Sequence, residues 1–525
     1  MQSVHDTGID LQPWMTSLQA VEPRLPPAAR LAWAGSRQTP TFCIDLIQTQ
    51  SRHVDLGVFS AALRNAKLFD NRDADLPGAV IVLPLGMQLL NAFRNLVRTH
   101  YVAAGLSEYD YPLLGSLDGF ARFDRVFPSS DKVLCVGTRA DFDKGSPRAI
   151  VLPTGEPVVY AHWRKLVRHV GDLPIEMFRH TRFLRPWSKT SGAGIFHALE
   201  GTDMFEFHGC YAREHAPAAG AKLFTMLQKL ITDLAVPVVW STRPPWSNHH
   251  QVSNATIGGD APLPSGASLQ IATLYNQGDI FSRAFDIRYK TVRGDIAWPC
   301  HVVGALSRRL LMVHLLMGLR TDGSFVVHPQ FSPDQVHLLL RPTSLDSGDD
   351  LLMHARALQA RGLRLKTTVA STSKQLASVF KHSVGAIAPI ILIVQGRRDN
   401  RDSVRAVVRR TDDLGEIALS GSDLANELPP VMESALVDVE SAYVDRIARY
   451  FASRLVRVES ASEARDVLSA RKIVLAALSF NQAAVAQVAA WQQGEVLGFV
   501  DSAEIHPCIV SRRPTATVAY VSPRA

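Results

Sequence analysis

Apolar residues recur at helical spacing in four stretches of the chain. Leu89, Leu90, Phe93, Leu96, Val97 and Tyr101 share one face of an amphipathic helix. Val159, Trp163, Leu166, Val167 and Val170 form a second stripe behind Glu156 and Pro157. That pair suits a helix start, because proline lacks only an N–H that would be orphaned there and an acid favours the helix dipole. Ala218 to Val236 predicts a third helix, with Leu223, Met226, Leu227, Leu230, Ile231 and Leu234 on one face. Val303, Leu306, Leu310, Val313 and Met317, three and four apart, predict a fourth. Arg309 lies at the edge of that stripe, about 60° from its centre, and Arg308 points nearly away.

Strands are predicted at Ala79–Pro84, in a segment ending Tyr109-Asp110-Tyr111-Pro112, and from Ile175 to Trp187 with a return through Thr202–Tyr211. Beyond Ser332 the pattern becomes strand, helix, strand. His337–Leu340, helix Leu351–Ala360, Leu363–Lys366, helix Ser373–Lys381 and Ile390–Val394 predict a mixed α/β unit. Before residue 50, Pro13, Pro23, Pro26, Pro27 and Pro40 interrupt short apolar runs, which reads as an arm with little regular structure.

Composition narrows the class. The chain has 525 residues, 46% of them apolar and 20% charged, which fits a multidomain globular protein. No window approaches the uncharged span of about 18 residues that a membrane helix needs. The opening MQSVHDTGID lacks a basic start and an apolar core, so no secretion signal is expected and the location is expected to be cytoplasmic. Cys43, Cys135, Cys210, Cys300 and Cys508 are scattered, with no CxxC pair and no disulfide framework. A net charge of +7 permits a polyanionic partner and equally fits a solubilising surface.

The candidate chemistry lies between Val151 and Ala212, a stretch that opens VLPTGEPVVYAHWRKLVRHVGDLPIEMFRHTRFLRPW and closes EGTDMFEFHGCYA. SLQIATLYNQG and FSRAFDI follow from Ser268, and PCIVSRRP lies near the end. On these motifs the chain resembles class II aminoacyl-tRNA synthetases, in particular the archaeal and eukaryotic type of prolyl-tRNA synthetase, as a divergent paralogue. The resemblance implies an α+β fold: a class II antiparallel sheet with flanking helices, an α/β anticodon-binding-like domain and a small α/β C-terminal domain. The expected divisions are an arm (1–54), a catalytic domain (55–330), the anticodon-binding-like domain (331–435) and a C-terminal domain lacking zinc ligands (436–525). Pro112 resembles the proline of the first class motif, which implies a homodimer.

Site roles follow from the same resemblance. Thr154 and Glu156 match a Thr-Ser-Glu loop that holds the substrate's amino group, with Gly155 in the middle place. A hydroxyl and a carboxylate suit a cationic amine, since charge-assisted hydrogen bonds are strong. Arg185 matches the arginine on the α-phosphate of ATP and Arg309 the one on the γ-phosphate, and both are expected to be catalytic. Gln270 and Thr273 match positions lining the nucleotide site. The aromatic that stacks on adenine has become Met204, with Phe205 next door as its candidate replacement. Glu206 stands for a tryptophan and Tyr275 for a histidine of the substrate pocket, so a different or larger amino-acid side chain is expected.

Two functions are compatible with these residues. One is an enzyme that activates proline or another amino acid with ATP and magnesium and passes it to tRNA or a non-tRNA acceptor. The other is a catalytically silent paralogue that binds an amino acid or tRNA or acts in regulation. Trp187, Thr202 and Met204 favour the second, because they replace a glutamate, an arginine and an aromatic of the nucleotide site. No zinc is expected, since Cys508 alone remains of the family's ligand set and Ser511 stands where its partner would be. His249 and His250 do not have the spacing to replace it.

Overall fold

The structure, a computed structural model, describes residues 41–45, 56–72, 80–129, 133–184, 200–247, 251–341, 356–384, 387–396, 404–413, 415–421 and 424–523. Arg185, Trp187, His249, His250 and nearly all of the arm lie outside them.

The first half runs through α1 (Pro84–Ala103), β1 (Ser107–Glu108), α2 (Glu156–Leu166), β2 (Ile175–Leu184), β3 (Glu200–Tyr211) and α3 (Ala216–Asp233). It continues through β4 (Val239–Thr242), β5 (Ala255–Pro262), β6 (Ser268–Gly278), β7 (Cys300–Ser307) and α4 (Arg309–Met317). The second half begins with β8 (Val336–Arg341), β9 (Leu365–Val369), α5 (Ser373–Val384), β10 (Ile390–Gly396), β11 (Val404–Arg410) and β12 (Glu416–Gly421). A long helix α6 (Leu424–Arg454) leads to β13 (Leu455–Val458), α7 (Ala461–Ser469), β14 (Ile473–Ala477), α8 (Gln482–Ala489), β15 (Gly494–Pro507) and β16 (Pro514–Pro523).

Among the described residues the largest sheet has eleven strands in the order β13-β14-β16-β15-β4-β5-β6-β7-β3-β2-β1. Its central run from β4 to β2 is antiparallel throughout. The two faces of this run bury different clusters. Phe205, Phe207, Leu274 and Leu306 point into one core with α1, α3 and α4. Met177, Cys210 and Val303 point to the other, where α2 supplies Val159, Tyr160 and Trp163. Each large apolar side chain buried this way contributes about 1.5–3 kcal/mol. A second sheet, β9-β8-β10-β11-β12, pairs β8 in parallel with β9 and β10 and antiparallel beyond them. This is the mixed α/β pattern expected after Ser332.

The last strands do not form a sheet of their own. Phe499 of β15 pairs with Thr242 of β4, so the C-terminal strands continue the central sheet. Arg243 fastens the joint: it donates to the Leu497 carbonyl and pairs with Asp260 at 2.8 Å, both side chains largely buried.

Several expected elements move. Of the strand expected at Ala79–Pro84, the described residues form Ile81–Val82, and Pro84 opens α1 as its first helical residue. The one expected before Pro112 is the two-residue β1. The fourth predicted helix is two elements. Val303 and Leu306 lie on β7 facing opposite cores, and the helix starts at Arg309. All eight residues that follow Arg309 in α4 are buried, so no polar face marks its period. No helix among the described residues is long and apolar enough to cross a membrane.

Candidate active site

α2, β6, β7 and β3 enclose a cavity of about 540 Å³ lined by Thr154, Glu156, Met204, Glu206, Gln270, Thr273, Tyr275, Gln277, Ser307 and Arg309. Strand alternation explains the lining: on β6, Thr273, Tyr275 and Gln277 share one face, and Met204 and Glu206 share one on β3. Seven of the nine residues expected at the site therefore converge: Thr154, Glu156, Glu206, Gln270, Thr273, Tyr275 and Arg309. Arg185, the eighth, lies outside the described residues.

Phe205, the ninth, does not reach the cavity. One residue along β3 from Met204, it faces the opposite core, fully buried, with its ring centre 6.1 Å from Phe93, 6.2 Å from Tyr101 and 4.7 Å from His180. Met204 is the side chain on the cavity wall. A shift of one position moves a strand residue to the other face, so Phe205 cannot take over its neighbour's place.

At one end, Glu156 sits in the first turn of α2, where the helix dipole favours its charge. Its Oε2 accepts a hydrogen bond from Thr154 Oγ1, and its Oε1 accepts one from Gln277 Nε2 at 3.3 Å. Gln277 in turn accepts from the buried Tyr160 hydroxyl. Burial, then the charge of Glu156, holds that phenol well above its usual range, so it stays a neutral donor. Gln277 escaped the sequence reading, although the spacing of two that relates Thr273, Tyr275 and Gln277 would have placed it.

At the other end, Arg309 begins α4, and its Nη1 donates to the Gln270 carbonyl at 3.3 Å. Its own backbone N–H donates to Ser307 Oγ at 3.3 Å. From Gln277 to Gln270 the strand spans roughly 20 Å, long enough for a small molecule beside a nucleotide. Behind this end stands Asp203, fully buried on the opposite face of β3. Arg94 of α1 donates to it, His180 Nε2 lies at 2.9 Å and Arg308 at 3.6 Å, while the Arg308 N–H donates to the Asp203 carbonyl at 2.9 Å. Burial alone would push the Asp203 carboxyl up; the bonds from His180 and Arg94 and the charges of Arg94 and Arg308 outweigh it and hold it well below the usual carboxylate range. Arg308 is thus a tie between β3 and α4, and Arg309 is the arginine at the cavity.

The resemblance implies magnesium with ATP, and zinc is not expected. Near Arg309 the lining offers neutral oxygens from Gln270, Thr273 and Ser307, which suit a hydrated magnesium carried by phosphates better than a carboxylate cage. At Cys508 one thiol stands with Ser511 in its partner's place, too few ligands for a tetrahedral zinc. That thiol is buried, and its Sγ accepts the backbone N–H groups of Ser479 and Ser511, each at 3.5 Å. Among the described residues no three His, Cys, Asp or Glu side chains gather as a metal site.

The fold has known counterparts. No family model matches the chain. In sequence it is 22% identical over 419 residues to the proline–tRNA ligase of Thermococcus kodakarensis, covering 79% of this chain and 84% of that one. It is 24% identical over 455 residues to that of Thermoplasma acidophilum, covering 85% and 93%. In structure it is similar to the Giardia lamblia prolyl-tRNA synthetase in complex with prolyl-adenylate, with a TM-score of 0.78, 18% identity and coverage of 93% of this chain and 99% of that one. The Cryptosporidium parvum prolyl-tRNA synthetase, complexed with halofuginone and AMPPNP, gives a TM-score of 0.75 at 18% identity over 89% and 97%.

Proposed function

We propose that this chain, a member of the prolyl-type class II aminoacyl-tRNA synthetases, activates an amino acid with ATP. A carboxylate oxygen of the amino acid would attack the α-phosphorus, forming an acyl–phosphate anhydride and releasing pyrophosphate. A hydroxyl or amine of tRNA or of a smaller acceptor would then displace AMP.

The observation that carries this reading is the pairing of Glu156 and Arg309 in one cavity, a carboxylate held ready for an amine and a guanidinium beside the nucleotide-lining strand. Glu156 with Thr154 would hold the ammonium, Gln270 and Thr273 would line the nucleotide, and Arg309 would neutralise the leaving pyrophosphate. Arg185 would stabilise the charge developing on the α-phosphoryl group. Gln270, Thr273 and Ser307 would surround a phosphate-borne magnesium, which would draw off negative charge. A homodimer accompanies this reading, supported by the exposed Leu113, Leu114 and Leu117 beside Pro112.

The competing function, a silent binding protein, is favoured by the replacements at Trp187 and Thr202 and by Met204, which lines the cavity where its neighbour Phe205 does not. Amino-acid-dependent exchange of pyrophosphate into ATP, measured over a panel of amino acids, separates the two. Exchange is expected with at least one amino acid, and Arg309→Ala should lower it by about 100-fold, the cost of removing one preorganised charge contact. The absence of both exchange and ATP binding would rule out the enzyme.

A further inference from the structure

A row of residues crosses the cavity floor in register: Arg179 on β2, Glu206 on β3, Ala305 on β7 and Thr273 on β6. Glu206 is 6% exposed, yet it lines the cavity. Among the described residues its one hydrogen-bonding neighbour is His208, whose Nε2 lies 3.4 Å from Glu206 Oε2. A carboxylate acceptor is therefore held in a nearly dry wall of the cavity that Thr154 and Glu156 also line, with capacity to spare.

The residue that makes room for it is Gly155. A Cβ at that position would overlap Glu206 Oε2 and stand 3.1 Å from His208 Nε2. Gly155 and Glu206 are thus one device: the missing side chain in the amine-binding loop is the space the carboxylate fills. Arg179 backs it from beneath. It is 1% exposed, bonded through Nη2 to Thr181 Oγ1 at 3.0 Å, and its Nε and Nη1 have no partner among the described residues. Tyr111 and Phe183 sandwich its guanidinium at 5.6 and 5.5 Å. A buried cation in the same row offsets the cost of burying the Glu206 charge, and the Glu206 side chain remains part of the cavity lining.

An unfilled acceptor in a closed site works as a filter. A substrate with a matching N–H or O–H satisfies it, whereas one presenting only carbon strands a desolvated carboxylate. We infer that the amino-acid end of this cavity selects a substrate whose side chain carries a hydrogen-bond donor, a hydroxyl or an amine, that is received by the Glu206 carboxylate. The unsubstituted proline ring lacks such a group. This inference rests on the amino-acid-activating reading, and it names the substrate class of the same site.

Calorimetric binding and pyrophosphate exchange on the full chain would be run side by side. The probes are L-proline, both epimers of 4-hydroxyproline, 4-aminoproline and ornithine, so that hydroxyl and amine donors are told apart. At least one donor-bearing amino acid should bind about 10- to 100-fold more tightly than proline, the range of one hydrogen bond to a charged group. Glu206→Leu should abolish that preference. Glu206→Gln keeps the shape and should weaken it, and Gly155→Ala, by pushing the carboxylate aside, should narrow it without shifting the melting temperature. Preferential binding without exchange would keep the inference and remove activation. Tighter binding of proline, or a donor preference that survives in Glu206→Leu, would overturn the inference while leaving activation standing. Absence of binding by every probe would overturn both.

Discussion

Single buried groups set how this protein responds to pH. His301 and His314 are fully buried, and burial, helped by the neighbouring His208 and His328 respectively, pushes each imidazole down to about 3. In the unfolded chain a histidine takes up its proton near pH 6.5. Between that value and about 3 the unfolded state therefore holds more protons, so stability falls as pH falls, by about 1.4 kcal/mol per pH unit for each histidine. Asp203 acts in a separate and lower window. Its depressed carboxyl contributes stability above the ordinary aspartate range and loses it as pH drops further. Chemical denaturation at pH 7.5 and pH 5 should accordingly show a loss of roughly 2 kcal/mol per buried histidine at the lower pH. A profile flat between those values would mean that neither imidazole stays neutral in the fold. None of this shows in the sequence, where His301, His314 and an exposed histidine are the same letter. Arg179 and Gln277 escaped for that reason too, and the contact between Gly155 and Glu206 joins residues far apart in the chain.

Helices that cover one face of the sheet were legible because water leaves its mark on their other face. α1, α2 and α3 each keep a polar side, and their apolar stripes located them to within a few residues. α4 lies wholly inside, and the strand ahead of it is also buried, so the two merged into one apparent helix. The same loss of contrast hid which of Met204 and Phe205 faces the cavity, since both are buried or nearly so on either side of β3. The start of α1 shows how closely such elements fit. The Leu68 carbonyl accepts the Leu83 N–H at 3.0 Å, and a Cβ on Gly86 would collide with that carbonyl. Gly86→Ala improves helix propensity by about 1 kcal/mol, but the clash is with backbone, which cannot swing away as a side chain can. The substitution should therefore destabilise, by a net 1–3 kcal/mol or so, and a urea titration would read it. A stabilised variant would show that α1 can slide off residue 68.

The assembly of the molecule follows from its sheets and from what lies beside them. Beside Pro112, on and next to a strand of a separate small sheet, Leu113 and Leu114 are 47% exposed and Leu117 is 42% exposed, an apolar group with no cover in the single chain. If a second copy covers it, Leu114→Asp should shift the protein from dimer to monomer in light scattering while the circular dichroism stays unchanged. A wild-type chain that is monomeric at micromolar concentration would remove that role. In the central sheet, the joint of Phe499 to Thr242 makes the final strands structural neighbours of the cavity strands, with Arg243 and Asp260 as the bolt. That joint turns the C-terminal segment into a guard. Ending the chain after α6 would remove β15 and leave β4 without its partner at Thr242, opening an edge of the central sheet. A shortened protein would then offer a ready template for strand addition by its own copies. Its failure would be precipitation, with the active-site residues all still in place.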